Sequence, residues 1–129
     1  MSHPNEDTVR KAYAALDSGD WQTLRGLLAA DVKWHSPGRH AFSGDHHGPD
    51  AVLRWLTGIH EMTGGTFRVE IHDVLANDEH VVVLATAHGE RGTHAVHDNH
   101  AQVFHVRDGV ITEFWGHPGD QHAIEELLS

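Results

Sequence analysis

The sequence predicts an α+β domain, and three observations carry that prediction. Apolar residues recur at helical spacing through the first half, the pattern changes to strand-like alternation near Thr66, and Gly, Pro and Asp punctuate the boundaries. At 129 residues the chain fits one domain, residues 1–129, large enough to bury a core without disulfides. The expected order is ααβαββββ plus a short C-terminal helix, with helices laid over one face of a strongly curved antiparallel sheet.

Val9, Ala12, Tyr13 and Leu16 share a helix face behind a cap at Asn5 or Asp7, which predicts a helix over 6–18 closed by Ser18-Gly19. Asp20 then caps a second helix that aligns Trp21, Leu24, Leu27 and Leu28 and ends near Ala30. A short strand over 31–36 stops at Pro37-Gly38. The polar segment that follows reads as a loop to Gly48, with a brief strand at Ala41-Phe42. Pro49-Asp50 opens a third helix carrying Val52, Trp55, Leu56 and Ile59 on one stripe, closed by Gly64-Gly65. Residues 66–75, 80–89, 94–106 and 110–117 are rich in β-branched and aromatic residues between turn signals and predict an antiparallel meander. A last helix over 121–128 brings Ile124, Leu127 and Leu128 to the core.

Composition narrows the function. Nine Lys+Arg against nineteen Asp+Glu give a formal charge of −10, which repels phosphate backbones and anionic lipid heads, so neither nucleic acid nor a membrane is an expected partner. There is no cysteine, hence no thiol chemistry, which suits a reducing cytoplasm. No apolar run is long enough to span a bilayer, and the first residues lack a basic and then apolar leader pattern. Fifteen histidines, titrating near about pH 6.5, make the charge sensitive to mild acid.

The stretch "VRDGVI" places histidines in the sheet. Asp108-Gly109 between two β-rich runs predicts a two-residue hairpin loop, which pairs Arg107 with Val110. Carried along a regular ladder, this register sets Phe104 opposite Glu113, Gln102 opposite Trp115 and His100 opposite His117, with Asp98 on the same face. The other face then carries Val103, His105 and Arg107 beside Phe114 and Thr112. An apolar wall with a few convergent polar groups is how small-molecule pockets are lined. The competing reading is a hydrated polar rim at the end of the sheet, with Asp120 serving only to cap the last helix.

"YAALDSGDW", "LLAADVKWHSPGR", "GPDAVLRWL" and "HVRDGVITEFW" together resemble the SnoaL-like branch of the NTF2-like superfamily, related to ketosteroid isomerases and polyketide cyclases, over nearly the whole chain. The resemblance implies a conical barrel of three helices and a bent sheet around one apolar pocket, and a homodimer formed through the sheets. In an ungapped comparison the isomerase tyrosine falls on Ala12, beside Tyr13, its catalytic base on Ser36, and its protonated acid on Gln102. None of those groups is retained, so classical ketosteroid isomerisation is not expected. SnoaL-type cyclases imply an aspartate acid/base near the end of the last strand, a place that Asp120 approximates.

Three readings follow. The first is a metal- and cofactor-independent enzyme that cyclises, isomerises, dehydrates or hydrolyses a small apolar oxygenated molecule. His100 with Asp98 or Asp120 would move the proton, and His35, beside the former base position, is a further candidate, although alternation from Trp34 and Ser36 turns it outward. Gln102, His117 and Glu113 would orient polar groups, and Trp34, Trp55, Trp115, Tyr13 and Phe42 would form the walls. The second reading is a metalloprotein using His100, His117 and Asp98 as ligands. The third is a non-catalytic, dimeric ligand-binding scaffold.

Overall fold

The computed structural model describes residues 2–129. In chain order the elements are α1 (Pro4–Ser18), α2 (Trp21–Gly26), β1 (Leu28–Ser36), β2 (Gly44–His47), α3 (Pro49–Met62), β3 (Arg68–Ala76), β4 (His80–Arg91), β5 (His94–Arg107), β6 (Val110–Pro118) and α4 (Gln121–Leu127). Local chemistry sets the helix ends. The His3 ring accepts from the Asn5 N–H, Pro4 begins α1 without a wasted donor, and Gly19 closes it in the left-handed region at φ 70°. Asp20 and Asp120 accept from the N–H groups of Thr23 and Ala123 and so cap α2 and α4.

α1 starts two residues earlier than expected, capped by His3 rather than by Asn5 or Asp7, and two further boundaries differ from expectation. The second helix ends at Gly26, and Leu28, which helical spacing assigns to it, instead begins β1. The segment expected to be a loop contains β2 at 44–47 rather than a strand at Ala41-Phe42. One sheet holds all six strands in the order β2-β1-β6-β5-β4-β3, with β1 and β6 parallel and every other pair antiparallel. The sheet is curved and unclosed, and the helices cover its concave face.

The hairpin loop has two residues as expected, Asp108 and Gly109, both at positive φ, and Arg107 pairs with Val110. The register then shifts. Thr112 is an extra residue in β6, so that His105 faces Glu113, Phe104 faces Phe114, Gln102 faces Gly116 and His100 faces Pro118. A bulge of this kind adds twist and bends the strand, and each residue beyond it changes face. The expected pairing of His100 with His117 is therefore incorrect: His117 faces Ala101 on the convex side. Trp115 and Glu113 move to that side as well, and Phe114 turns inward, where it is 3% exposed.

The core lies between the concave face and the helices. Val9, Val32, Val52, Val81, Val83, Phe104, Ile111 and Phe114 form its main part. Ile59, Val96, Ile124, Leu127 and Leu128 form a second cluster at the α4 end. The convex face carries an apolar row across four strands, Leu75, Val82, Val103 and Trp115, each opposite the next.

The bulge is open to a direct check. Phe114→Ala should cost about 3–5 kcal/mol in urea unfolding, as for a buried aromatic ring, and Trp115→Ala clearly less. A regular ladder would reverse that ranking.

Candidate functional site

A cavity of about 100 Å³ lies between α1, α3, α4 and the concave face of the sheet. Its walls are mostly apolar: Trp34, Val52, Trp55, Phe104, Ile111 and Phe114 among them. Trp34 stacks on Phe114 with centroids 4.0 Å apart and meets Trp55 edge-on at 5.8 Å. The Trp55 indole N–H donates to the Phe42 carbonyl at 3.1 Å, which fixes the ring that closes the α3 side.

A histidine and a carboxylate stand at one end of this cavity. His100 lines it, with a side chain 8% exposed, and its Nε2 lies 3.1 Å from Asp98 Oδ2. Asp98 in turn accepts from the backbone N–H groups of Gly119 and Asp120 at 3.0 and 2.7 Å. A carboxylate beside Nε2 favours the tautomer with the proton on that nitrogen, leaving a lone pair on Nδ1. Burial pushes the His100 pKa below its ordinary value, and Asp98 opposes this only in part. The imidazole is thus held neutral, ready to accept a proton.

A second polar group stands nearby. Tyr13 and Gln102 both line the cavity, and the Tyr13 hydroxyl donates to Gln102 Oε1. Burial raises the Tyr13 phenol far above its usual range, so it stays a neutral donor. Ser36, buried at 7% exposure, His40 and Gln121 add to the polar lining. Among the described residues, three buried side-chain polar atoms lack a hydrogen-bond partner: Trp34 Nε1, His100 Nδ1 and Gln121 Nε2. All three belong to cavity-lining residues. Unpaired buried polar atoms are costly, and they mark places where a ligand can restore lost hydrogen bonds.

Of the residues singled out in the sequence, the fold brings Tyr13, Trp34, Trp55, His100 and Gln102 to the cavity, with Asp98 behind His100. Others stand elsewhere. Asp120 is exposed and caps α4 through the Ala123 N–H. The Phe42 ring packs toward Gly58 of α3, outside the cavity wall. His35 lies on the convex face, bridging Asp45 and Glu113 at 2.7 and 2.6 Å and stacked on Trp115. His117 is exposed there too, so the ligand set of His100, His117 and Asp98 is taken apart by the sheet. Among the described residues no three His, Asp or Glu side chains converge as a metal site.

Sequence reasoning missed His40 and Gln121, both of which line the cavity. His40 sits in an irregular segment without periodicity, and Gln121 follows a capping Asp, which marks a helix start but not a place on the cavity wall. Gly38, at φ 89°, lies so close to the Gln121 amide that a Cβ there would collide with it.

This geometry belongs to a recognisable group. The family model for the SnoaL-like domain matches residues 9–114, and the chain belongs to the SnoaL-like family. It is 33% identical over 116 residues to an uncharacterized protein of Mycobacterium tuberculosis, covering 87% of this chain and 88% of that one. Among solved structures it is similar to Bal32a, from a soil-derived mobile gene cassette, at 33% identity and TM-score 0.93, covering 98% and 97% of the two chains. An NTF2-like protein of Burkholderia xenovorans shares the fold at 22% identity and TM-score 0.85, over 100% and 98% of the chains. So does TerC, co-crystallized with polyporic acid, at 24% identity and TM-score 0.85, over 98% of each chain.

Two histidines should respond to pH with opposite signs. The His100 pKa is lowered on folding, so below about pH 6.5 the unfolded chain binds the extra proton and stability falls as pH drops. His35 is raised, mainly by its hydrogen bond to Asp45, so its contribution is complete below about pH 6.5 and fades as pH rises through its folded value. In urea unfolding, His100→Gln should therefore compare best with the wild type in mild acid, and His35→Gln worst. Parallel profiles for the two variants would contradict both assignments.

Proposed function

We propose that the protein binds a small, largely apolar, oxygenated molecule in the cavity and carries out acid/base chemistry on it. The observation that carries this reading is the set of unpartnered polar atoms at Trp34, His100 and Gln121, all on cavity-lining residues. Turned toward the cavity, they would offer a bound molecule two N–H donors, indole and amide, and one imidazole acceptor. That pattern suits a compound bearing a carbonyl or related oxygen together with an acidic hydrogen. The crystallization of TerC, of the same fold, with polyporic acid is consistent with an organic ligand of this kind.

In the proposed reaction His100 Nδ1 accepts a proton from the bound molecule, and the resulting imidazolium is stabilised by Asp98 beside Nε2. Negative charge left on the substrate oxygen meets the Trp34 or Gln121 N–H, or the Gln102 amide held by Tyr13. Return of the proton to another carbon gives isomerisation, its delivery to a departing hydroxyl gives elimination of water, and attack of the carbanion on a second carbonyl, whose oxygen then takes the proton, forms a carbon–carbon bond. The carboxylate base of the ketosteroid isomerases has no counterpart, because Ser36 stands at that position. The cavity volume of about 100 Å³ is below the range of roughly 300–1,000 Å³ usual for small-molecule pockets. A larger substrate would extend through the open side of the cavity or displace α1, α3 or α4.

We further propose a homodimer through the convex face. Its support is the row from Leu75 to Trp115, with Leu75 53% and Leu84 42% exposed, more contiguous apolar surface than a monomer usually leaves wet.

Three measurements test these readings. Small molecules that co-purify with the protein, identified by mass spectrometry, supply the substrate candidates. With the true substrate, His100→Ala should lower turnover by roughly 10²-fold or more, and His105→Ala, on the convex face, should leave it unchanged. Equal turnover in the two variants removes His100 from the mechanism, and a ligand bound but never converted makes this a binding protein. Light scattering at micromolar concentration should give a dimer mass that Leu84→Glu reduces. A monomer mass for the wild type would sink the dimer.

A further inference from the structure

The convex face holds a second arrangement of imidazoles, separate from the cavity. His88 on β4 and His97 on β5 are direct cross-strand partners. Their ring centroids are 4.7 Å apart, and the two Nδ1 atoms approach to 2.5 Å. Two lone pairs cannot face each other at that distance, and neither can two N–H groups, so what lies between them is either the proton of one ring donated to the other or a bound cation in its place.

We propose that His88 and His97, facing each other across β4 and β5, form a two-imidazole site for a divalent transition-metal ion. The neighbouring carboxylate is the second observation in its favour. Glu70 Oε1 lies 3.2 Å from His88 Nε2, on the side of the ring away from His97. This places the His88 proton on Nε2 and turns the Nδ1 lone pair toward the partner ring. A carboxylate on the distal nitrogen of a ligating histidine is a recurring feature of metal sites, where it fixes the tautomer and raises ligand basicity.

The geometry needs little adjustment. Metal–imidazole bonds of about 2.0–2.1 Å set two nitrogens on one ion roughly 3 Å apart. The exposed His97 ring can rotate outward by that small amount while the strands stay fixed. The recess around the pair, lined by Gly65, Thr66, Arg68, Gly89 and Glu90, opens to solvent and leaves the remaining coordination positions to water. Arg68, opposite His88 on β3, repels a cation, and Glu70 and Glu90 offset it. Imidazole nitrogen suits Cu²⁺, Ni²⁺ and Zn²⁺, with Cu²⁺ held most tightly by the general order of divalent affinities. The sheet contains one more facing pair, His80 and His105, with centroids 4.6 Å apart, but His105 Nδ1 lies 3.6 Å from Glu113. That pair lacks the nitrogen-to-nitrogen approach.

The test uses full-length protein without a histidine tag, stripped with chelator and titrated with Cu²⁺ under calorimetry and electron paramagnetic resonance. Wild type should bind one equivalent at least tenfold more tightly than the remaining histidines do, with a spectrum showing two nitrogen ligands. That equivalent should be absent from His88→Gln/His97→Gln and retained in His80→Gln/His105→Gln. Glu70→Gln should weaken it by roughly 10-fold or more, the usual effect of removing such a carboxylate. Circular dichroism confirms that each variant is folded. Equal stoichiometry and affinity in wild type and His88→Gln/His97→Gln would overturn the proposal, as would loss of the tight equivalent only in the His80 and His105 variant.

Discussion

The Asp98 carboxylate joins three parts of the molecule. It is 5% exposed, and a carboxylate so placed is tolerated only where hydrogen bonds replace its lost hydration. The turn after β6 supplies them through the N–H groups of Gly119 and Asp120. That turn must come close, and a Cβ at Gly119 would lie 2.6 Å from the Asn99 carbonyl oxygen, so only glycine fits without movement. Once the turn is held, Asp120 is in place to cap α4. Ile124 and Leu127 then reach the second core cluster, and Gln121 reaches the cavity. The same carboxylate orients His100. Sheet end, helix start and imidazole tautomer thus depend on one buried charge.

The two faces of the sheet treat histidine in opposite ways. On the concave side His100 is withdrawn from water and held neutral, so its lone pair is available. On the convex side His35 lies between Asp45 and Glu113 and is biased toward the imidazolium. The physical difference is desolvation against charge pairing, acting on the same type of side chain on opposite faces of one sheet.

Legibility followed the same division. Along β5 the alternation of Asp98, His100, Gln102 and Phe104 was readable, because these side chains share the inner face and no irregularity intervenes between them. Along β6 it failed beyond Thr112, since a bulge adds one residue without any compositional mark and reverses the faces of Glu113, Phe114, Trp115 and His117. Leu27 and Leu28 fitted a helical stripe, yet Leu28 is drawn into β1 by its pairing with Ile111, a long-range contact that local spacing cannot reveal. The strand β2 was hidden because a four-residue polar edge strand has no buried face to impose alternation. Tyr13, Trp34, Trp55, His100 and Gln102 were legible as cavity residues through period and resemblance. Gln121 was not, because its position depends on the turn that Asp98 holds.

The open sheet also leaves two strand edges whose backbone groups could recruit further chains. Each is poorly suited to that. The β2 edge is four residues long and carries Asp45, His46 and His47, while β3 is interrupted at His72 and bears Arg68, Glu70 and Asp73. Short, charged and kinked edges resist addition of another strand. Edge-to-edge addition of further copies is thereby disfavoured, and the sheet has no ready means of extending itself strand by strand into a fibre.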